Sequence, residues 1–308
     1  MKKDLISLPD LGRENIGIIF KTAERLKREK AAGAPHRILE GKTIGMLFNK
    51  SSTRTRISFE VGMFQLGGHA LALSGQQLQM GRGETVADTA RVFSRYLDGL
   101  VIRTYAHSEV EELAAHATIP VINALTDKHH PCQILADLFT IIEKRGSLDG
   151  VKVAYIGDGN NMANSWLLGA ALTGIELAIA CPAKYSPEKD VIEEAKGIAA
   201  ETGAKISITN DPKEAAQNAD ALYTDTWISM GQDEEAEERR KDFAGFCVDA
   251  KLLGLAKKDA LVMHCLPAHR GEEISADVMD GPNSVVWDQA ENRLHTQKAV
   301  MVMLMGGG

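Results

Sequence analysis

Two arginines and four hydroxyl side chains share one hexapeptide of the sequence, SSTRTR at positions 51–56. The run follows a β-type segment at 43–48, and apolar residues recur at helical spacing over 57–64, so a helix is predicted to begin at the hexapeptide. A helix N-terminus offers unpaired N–H groups and the positive end of its dipole, and arginine adds a two-pronged phosphate donor. The pattern predicts an anion site, with phosphate the favoured anion. The alternative is an ordinary N-cap at Ser52 or Thr53 beside two exposed arginines.

A second polar cluster, HHPCQ at positions 129–133, opens an amphipathic segment at 132–144 that is predicted to be a helix. A neutral imidazole and an amide at such a place can hydrogen bond a carbonyl oxygen, and the helix start disfavours the charged imidazolium. His130 is therefore a candidate for polarising a carbonyl group. The alternative is that His130 only caps the helix or packs in the core.

Three loops in the second half of the chain also follow β-type segments: GDGNN at 157–161, DTWISMG at 225–231 and HCLPAHRG at 264–271. In open parallel sheets, ligands lie outside the carboxyl ends of the strands, so the three loops are predicted to converge on one crevice. The carboxylate of Asp225 would suit an amine. The alternative is that Asp225 caps a turn and that Cys265 is a small buried residue.

Two further interpretations of these motifs, a dinucleotide site and a zinc site, do not match the required residue patterns. The segment 157–161 lacks the third glycine of a dinucleotide fingerprint, and the next β-type segment ends without an acidic residue for a ribose hydroxyl. A zinc site would have to join His130 and Cys132 with His264 and Cys265, and neither pair has the usual CxxC or HxxxH spacing. The sequence therefore predicts no cofactor and no metal.

Composition narrows the class of protein. The 308 residues suit two domains, and the net charge of −7 argues against a broad nucleic-acid surface. No apolar run approaches the roughly 18 residues of a membrane span, and the N-terminus lacks the apolar core of a signal peptide. Four cysteines without a CxxC pair suit reduced thiols. We therefore expect a cytoplasmic protein with no membrane partner.

Short β-type runs alternate with helical segments along the chain, which is typical of an α/β fold built on parallel sheets. A break after the helix at 132–144 predicts a first domain at 1–148 and a second at 149–290. Each would hold a central parallel sheet flanked by helices, and a C-terminal helix at 291–308 would cover one of the two domains. The charged run at 234–241 has acidic and basic residues four apart, which predicts a solvated helix.

Several motifs in one order resemble the aspartate/ornithine carbamoyltransferase family over nearly the whole chain. They are STRTR at 52–56, GRGET at 81–85, HPCQ at 130–133, GDGNN at 157–161, DTWISMG at 225–231, HCLP at 264–267 and ENR at 291–293. The resemblance implies transfer of the carbamoyl group of carbamoyl phosphate to an amine by direct attack through a tetrahedral intermediate. It also implies that the first domain binds carbamoyl phosphate, that the second binds ornithine, and that the C-terminal helix at 291–308 packs back on the first domain. The triplet at 229–231 is similar to the ornithine branch, and it is absent in this form from the aspartate branch.

The same resemblance implies the site residues. Those expected around carbamoyl phosphate are Ser52, Thr53, Arg54, Thr55, Gln79, Arg103, His130, Gln133, Cys265, Leu266 and Arg293. Those expected around ornithine are Asn161, Asp225, Ser229 and Met230. The catalytic residues are expected to be Arg103, His130, Asp225 and Cys265. In this scheme Cys265 orients the attacking amine and helps to deprotonate it, and Gln79 reaches the site of a neighbouring subunit.

The implied partners are the small molecules carbamoyl phosphate and L-ornithine, and the implied assembly is a homotrimer or a higher assembly of trimers with sites near subunit contacts. Two alternatives stay open. Another amine, such as putrescine or an acylated ornithine, would lack the free α-amino acid group that Asn161, Asp225 and 229–231 would bind. A non-catalytic anion-binding module of the same fold would not need the electrophile set around His130.

Overall fold

The computed structural model describes residues 3–75, 83–229 and 231–306. Its strands within these residues are β1 (Thr43–Phe48), β2 (His69–Ser74), β3 (Gly99–Arg103), β4 (Val121–Leu125), β5 (Lys152–Ile156), β6 (Glu176–Ala180), β7 (Lys205–Thr209), β8 (Ala221–Thr224) and β9 (Leu261–His264). Its α-helices are α1 (Gly12–Ala31), α2 (Thr53–Gln65), α3 (Val86–Tyr96), α4 (His107–His116), α5 (Pro131–Arg145), α6 (Asn161–Thr173), α7 (Lys189–Thr202), α8 (Pro212–Ala216), α9 (Ala236–Asp242), α10 (Ala250–Leu253), α11 (Ala276–Met279) and α12 (Val286–Met305).

The first compact unit comprises Met1–Ala136 and Glu291–Gly308. Its parallel sheet has the strand order β2-β1-β3-β4. The central strand β3 is buried along its whole length, as strands inside parallel sheets usually are, whereas the edge strand β2 is partly exposed. The register between β3 and β4 shifts between Ile102 and Arg103. Arg103 therefore lies at an irregular point, where side chains are often re-aimed next to active sites.

The C-terminal helix α12 packs on this first unit. It begins at Val286, which is earlier than the predicted start at 291. Lys27 of α1 donates to Asn292 Oδ1 (2.8 Å), and Lys298 donates to Gln65 Oε1 of α2 (2.9 Å). A Cβ atom added at Gly62 would lie only 3.2 Å from the Lys298 side chain, so glycine at this position lets α2 and α12 approach closely.

The second compact unit comprises Asp137–Ala290. Its parallel sheet has the strand order β7-β6-β5-β8-β9, so the loops 157–161, 225–231 and 264–271 all follow the carboxyl ends of adjacent strands. Any Cβ atom at Gly159 would overlap the backbone at 185–187. The glycine of this loop therefore serves close packing of two backbone segments rather than a dinucleotide.

The predicted α/β class, with two parallel sheets flanked by helices and a C-terminal helix on the first unit, is confirmed. The division between the two units falls inside α5, after Ala136, whereas the predicted boundary at 148 follows the end of that helix. Within the described residues, no helix combines the length and the apolar character that crossing a membrane requires.

Candidate active site

The first unit carries a cationic cradle at the N-terminus of α2. Ser52 is the N-cap of this helix, and its hydroxyl accepts a hydrogen bond from Thr55 N (3.3 Å). Thr53 and Arg54 are exposed in the first turn, whereas Thr55 is buried. The capping role considered from the sequence is therefore real, and it is compatible with an anion site because the cap fixes the helix start from which Arg54 projects.

Two buried arginines accompany this helix start. Arg293 of α12 donates through Nη2 to the hydroxyl of Thr55 (2.7 Å), and Arg103 lies buried at the end of β3. Burial lowers the pKa of His130 well below its usual value, and the positive charges of Arg293, Arg103 and Arg54 lower this pKa further. The imidazole is therefore neutral at neutral pH, which is the state that donates a hydrogen bond to a carbonyl oxygen without titrating.

The loop before α5 positions His130. Thr126 N donates to the carbonyl oxygen of His129 (2.9 Å), and His129 N donates back to Thr126 Oγ1 (3.1 Å). Gln133 lies one turn into α5, is buried, and donates its backbone N–H to the His130 carbonyl oxygen (3.2 Å). The first unit thus brings Thr55, Arg54, Arg103, His130 and Arg293 together, with Gln133 beside His130.

Lys50 is a buried cation that the sequence analysis missed. It forms an ion pair with Asp127, and its ammonium group lies 4.2 Å from the centroid of the Tyr105 ring. Its position directly before the hexapeptide at 51–56 is the signal that could have identified it. Gln79, by contrast, lies outside the described residues.

In the second unit, Asp225 is the centre of a hydrogen-bonded cluster. Its Oδ1 accepts from the thiol of Cys265 (2.8 Å) and from Thr226 N (2.8 Å). Its Oδ2 accepts from Asn160 Nδ2 (2.9 Å). These contacts fix the carboxylate at the meeting point of all three loops, as the sequence predicted for Asp225 and Cys265.

The thiol of Cys265 stays protonated. Burial raises its pKa well above the usual value, and the neighbouring carboxylate of Asp225 raises it further. Because the thiolate is the reactive form of cysteine, this environment disfavours nucleophilic attack by sulfur. The thiol instead serves as a hydrogen-bond donor that holds Asp225. A protonated thiol cannot take up the amine proton, so the expectation that Cys265 helps to deprotonate the amine is not supported.

A buried histidine and glutamate shape the loop that carries Cys265. His264 Nε2 hydrogen bonds to Glu273 Oε1 (3.0 Å), and Leu266 N donates to His264 Nδ1 (2.8 Å). Burial alone would raise the pKa of Glu273, but its hydrogen bonds to His264 and to His269 N outweigh that effect and lower it. Leu266 has a φ of 63°, a left-handed conformation that is uncommon for a non-glycine residue. The His264 hydrogen bond therefore holds Leu266 in a strained geometry.

Asp225, His264 and Cys265 also form a possible metal-binding group, because their ligand atoms lie within 4.8 Å of one another. Both ring nitrogens of His264 already hydrogen bond to protein atoms. A metal ion would therefore have to displace Leu266 N or Glu273 from the imidazole. The residues fit the hydrogen-bonding role better than a metal-ligand role.

The remaining acceptor residues lie on the same loops. Asn161 is the first residue of α6, and Ser229 donates its N–H to Gln232 Oε1 (2.9 Å). Met230 lies outside the described residues. Cys265 and Leu266, which were predicted to contact the carbamoyl group, belong to this second unit.

Three residues of this unit were not identified from the sequence. Asn160 was passed over for Asn161, although it caps α6 and also binds Asp225. No local sequence pattern identifies Glu273, because its contact with His264 depends on the path of the loop between them. The prediction of a solvated helix at 234–241 was wrong for Arg239, which is buried against Asp158 and Trp227.

Comparison with known proteins shows close relatives. Residues 3–143 match the family described as "Aspartate/ornithine carbamoyltransferase, carbamoyl-P binding domain", and residues 149–304 match its "Asp/Orn binding domain". A protein of Methanoculleus marisnigri named ornithine carbamoyltransferase is 54% identical over 308 residues, covering 100% of this chain and 98% of the relative. A protein of Pyrococcus furiosus named "Ornithine carbamoyltransferase, anabolic" is 55% identical over 305 residues, covering 99% and 97%. The solved structure of ornithine carbamoyltransferase from Pyrococcus furiosus superposes with a TM-score of 0.96 at 55% identity, covering 100% and 98%.

Proposed function

This chain belongs to the aspartate/ornithine carbamoyltransferase family, and from that premise we propose that it transfers the carbamoyl group of carbamoyl phosphate to the δ-amine of L-ornithine, giving L-citrulline and phosphate. The observation that carries the proposal is the Asp225 cluster. A fixed carboxylate beside a protonated thiol suits an amine nucleophile, and the same chain carries an arginine-rich cradle for a phosphate. A binding module would need the cradle alone.

In the first unit, the proposed phosphate ligands are the helix start at 52–55 and Arg103, with Arg293 tied to Thr55. Arg103, His130 and Thr55 would donate to the carbonyl oxygen as negative charge develops on it during attack. A neutral His130 suits this role because burial and the three arginines keep its pKa low. The proposed position of Gln133 is beside the amino end of the carbamoyl group.

In the second unit, Asp225 would accept a hydrogen bond from the amino acid acceptor, with Asn161, Ser229 and the backbone of Met230 as further ligands. The protonated Cys265 would hold the carboxylate and orient the attacking amine, so attack is direct and forms no bond to sulfur. The amine nitrogen would form the new C–N bond, and collapse of the tetrahedral intermediate would break the C–O bond to phosphate. The departing phosphate would take up the amine proton, which completes the transfer. Residues 1–148 and 149–290 are the proposed carbamoyl phosphate and ornithine domains, with 291–308 returning to the first.

The proposed direction is synthesis of citrulline, because the Pyrococcus furiosus relative is named anabolic. The proposed location is the cytoplasm, which rests on the composition. The proposed assembly is a trimer of identical chains. Its support is an apolar face of α2 in which Ile57, Val61 and Phe64 are all exposed at helical spacing, next to the phosphate cradle. Gln79 of one subunit is proposed to serve its neighbour's site.

The test is formation of ureido product from carbamoyl phosphate with L-ornithine, run beside putrescine, N-acetylornithine and L-aspartate at equal concentrations. Citrulline formed with L-ornithine alone supports both the chemistry and the α-amino acid site. Turnover with another acceptor would keep the chemistry but contradict the proposed roles of Ser229 and Met230. No turnover with any acceptor would favour the binding module.

A further inference from the structure

Arg239 of α9 is a buried cation outside the predicted site residues, and only 4% of its side chain is exposed. Its guanidinium group donates through Nε to the carbonyl oxygen of Trp227 (2.6 Å) and through Nη2 to the carboxylate of Asp158. Glu235, the N-cap residue directly before α9, lies 3.6 Å from Nη1 and is largely exposed. The planar fork of arginine therefore joins two separate loops of the second unit at one point.

Those two loops carry the proposed acceptor ligands. Trp227 lies between Asp225 and Ser229, and Asp158 lies three residues before Asn161. Asp158 is tied to the Asp225 cluster as well, because Tyr155 Oη donates to its carbonyl oxygen (2.9 Å) and lies 3.2 Å from Asn160 Oδ1. A shift of Arg239 would therefore move both walls of the acceptor site.

Aromatic rings hold the guanidinium in place from the other side. Its carbon lies 4.5 Å from the centroid of the Tyr185 ring and 5.5 Å from that of Phe243. Phe243 in turn stacks on Trp227 (5.6 Å between centroids), and the Tyr185 carbonyl oxygen accepts from Gly159 N (2.9 Å). The two residues whose rings contact Arg239 thus also contact the two loops, Phe243 through its ring and Tyr185 through its backbone carbonyl oxygen.

Stability alone does not explain such a pair. Desolvation of two charges can outweigh their attraction, and apolar replacements of buried ion pairs are often neutral or stabilising. Burial raises the pKa of Asp158 to about 7, and the charge of Arg239 opposes that rise. Arginine, unlike an apolar residue, can donate at the same time and in a fixed geometry to a carboxylate and to a backbone carbonyl oxygen.

We propose that Arg239 is a positioning residue for the amino acid acceptor, which it serves by locking the loops 157–161 and 225–231 in one relative placement. The inference rests on the proposed function, because the acceptor is the one proposed there. Arg239 itself does not touch the substrate. Its loss should therefore weaken acceptor binding and leave the binding of carbamoyl phosphate, whose proposed phosphate ligands lie in the first unit, nearly unchanged.

The decisive variant is Arg239→Lys, which keeps the charge but cannot span Trp227 and Asp158 with one planar group. We expect the KM for L-ornithine to rise about tenfold, the KM for carbamoyl phosphate to stay within about twofold, and the melting temperature to change by only a few degrees. The matched control is Arg240→Met, which removes a half-exposed neighbour on the same helix that pairs with Glu272. Both KM values of this control should equal those of the wild type.

A second variant, Arg239→Met combined with Asp158→Asn, removes both charges. It distinguishes a role of Arg239 in positioning the loops from a role in neutralising the buried charge of Asp158. If Arg239 positions the loops, this variant folds but keeps a raised KM for L-ornithine. Recovery of the wild-type KM in the double variant would overturn the proposal, as would equal KM values in Arg239→Lys and the wild type, or a parallel rise of both KM values. If neither variant folds, Arg239 is a folding residue and the proposal is wrong. Absence of ornithine turnover in the wild type would contradict the proposed function instead.

Discussion

The Asp225–Cys265 contact decides what the thiol does at the level of single residues. A cysteine with a raised pKa and a carboxylate 2.8 Å away is a hydrogen-bond donor, whereas a nucleophilic cysteine needs a cationic neighbour and a lowered pKa. His130 shows the same logic in the first unit, where burial, and after it the charges of the surrounding arginines, lower its pKa and keep the ring neutral. In both cases the neighbours set the protonation state that the proposed reaction needs.

Replacement of Cys265 tests this role. In Cys265→Ser a hydroxyl still donates to Asp225, so we expect a partial loss of activity, with kcat lowered about tenfold to a hundredfold. In Cys265→Ala we expect kcat to be lower still, because the carboxylate loses this donor. The measurement is kcat with L-ornithine, combined with mass spectrometry of the wild type during turnover. Complete loss of activity in the serine variant together with a trapped carbamoyl-cysteine adduct would show that sulfur is the nucleophile.

At the level of elements, the sequence predicted the strands whose apolar residues are buried on both faces of a sheet. Strands such as β3 and β5 are short apolar runs because parallel sheets bury both faces, and the polar residues after them necessarily lie at one sheet edge. The edge strand β2 was not predicted because its faces are partly exposed and its pattern is weak. The spacing of charges around Arg239 indicated a helix, but it did not indicate which side of that helix is buried. Asn160 could not be identified because its partner Asp225 lies on another loop, whose path the local sequence does not determine.

Helix α12 is fastened to the first unit by a buried amine. Lys298 Nζ lies 3.0 Å from His36 Nε2 and donates to Gln65 Oε1, and His295, Glu29 and Lys30 are the other charged or titratable groups around it. Burial lowers the pKa of Lys298 to about 8, and Lys30 lowers it while Glu29 opposes the shift. In an unfolded chain the pKa of a lysine is about 10.4. Between about pH 8 and 10, Lys298 is therefore protonated in the unfolded state and largely deprotonated in the folded state.

This difference predicts a pH dependence with a definite sign. The cost of burying the charged amine is fully present below about pH 8, so the free energy of unfolding should rise with pH between about 8 and 10, by up to about 1.4 kcal/mol per pH unit from Lys298 alone. Lys298→Met should lack this contribution, which urea unfolding at pH 7.5, 8.5 and 9.5 would measure. Lys21→Met, which removes an exposed lysine of α1, is the matched control. The same pH slope in Lys298→Met and the wild type would contradict the prediction.

At the level of the whole molecule, the face of α2 formed by Ile57, Val61 and Phe64 is the surface that we propose to contact a second copy. Phe64 is 80% exposed, and such a side chain beside two further apolar residues is costly to leave in water. The helix that carries this face begins at the cationic cradle, so contact between copies would lie next to the proposed phosphate site. That placement agrees with the proposed role of Gln79 in a neighbouring site.

Phe64→Glu tests the assembly, because burying a carboxylate in a contact between apolar faces is strongly unfavourable. Light scattering should give about 100 kDa for the wild type, which is three times 33.4 kDa, and a mass near that of one chain for the variant. Ile208→Glu, which changes another exposed apolar residue on the edge strand β7, is the control and should keep the wild-type mass. Because Gln79 is proposed to complete a neighbour's site, dissociated Phe64→Glu should also show a raised KM for carbamoyl phosphate. A trimeric Phe64→Glu would show that the α2 face is not the contact, and a dissociated variant with wild-type kinetics would show that each chain holds a complete site.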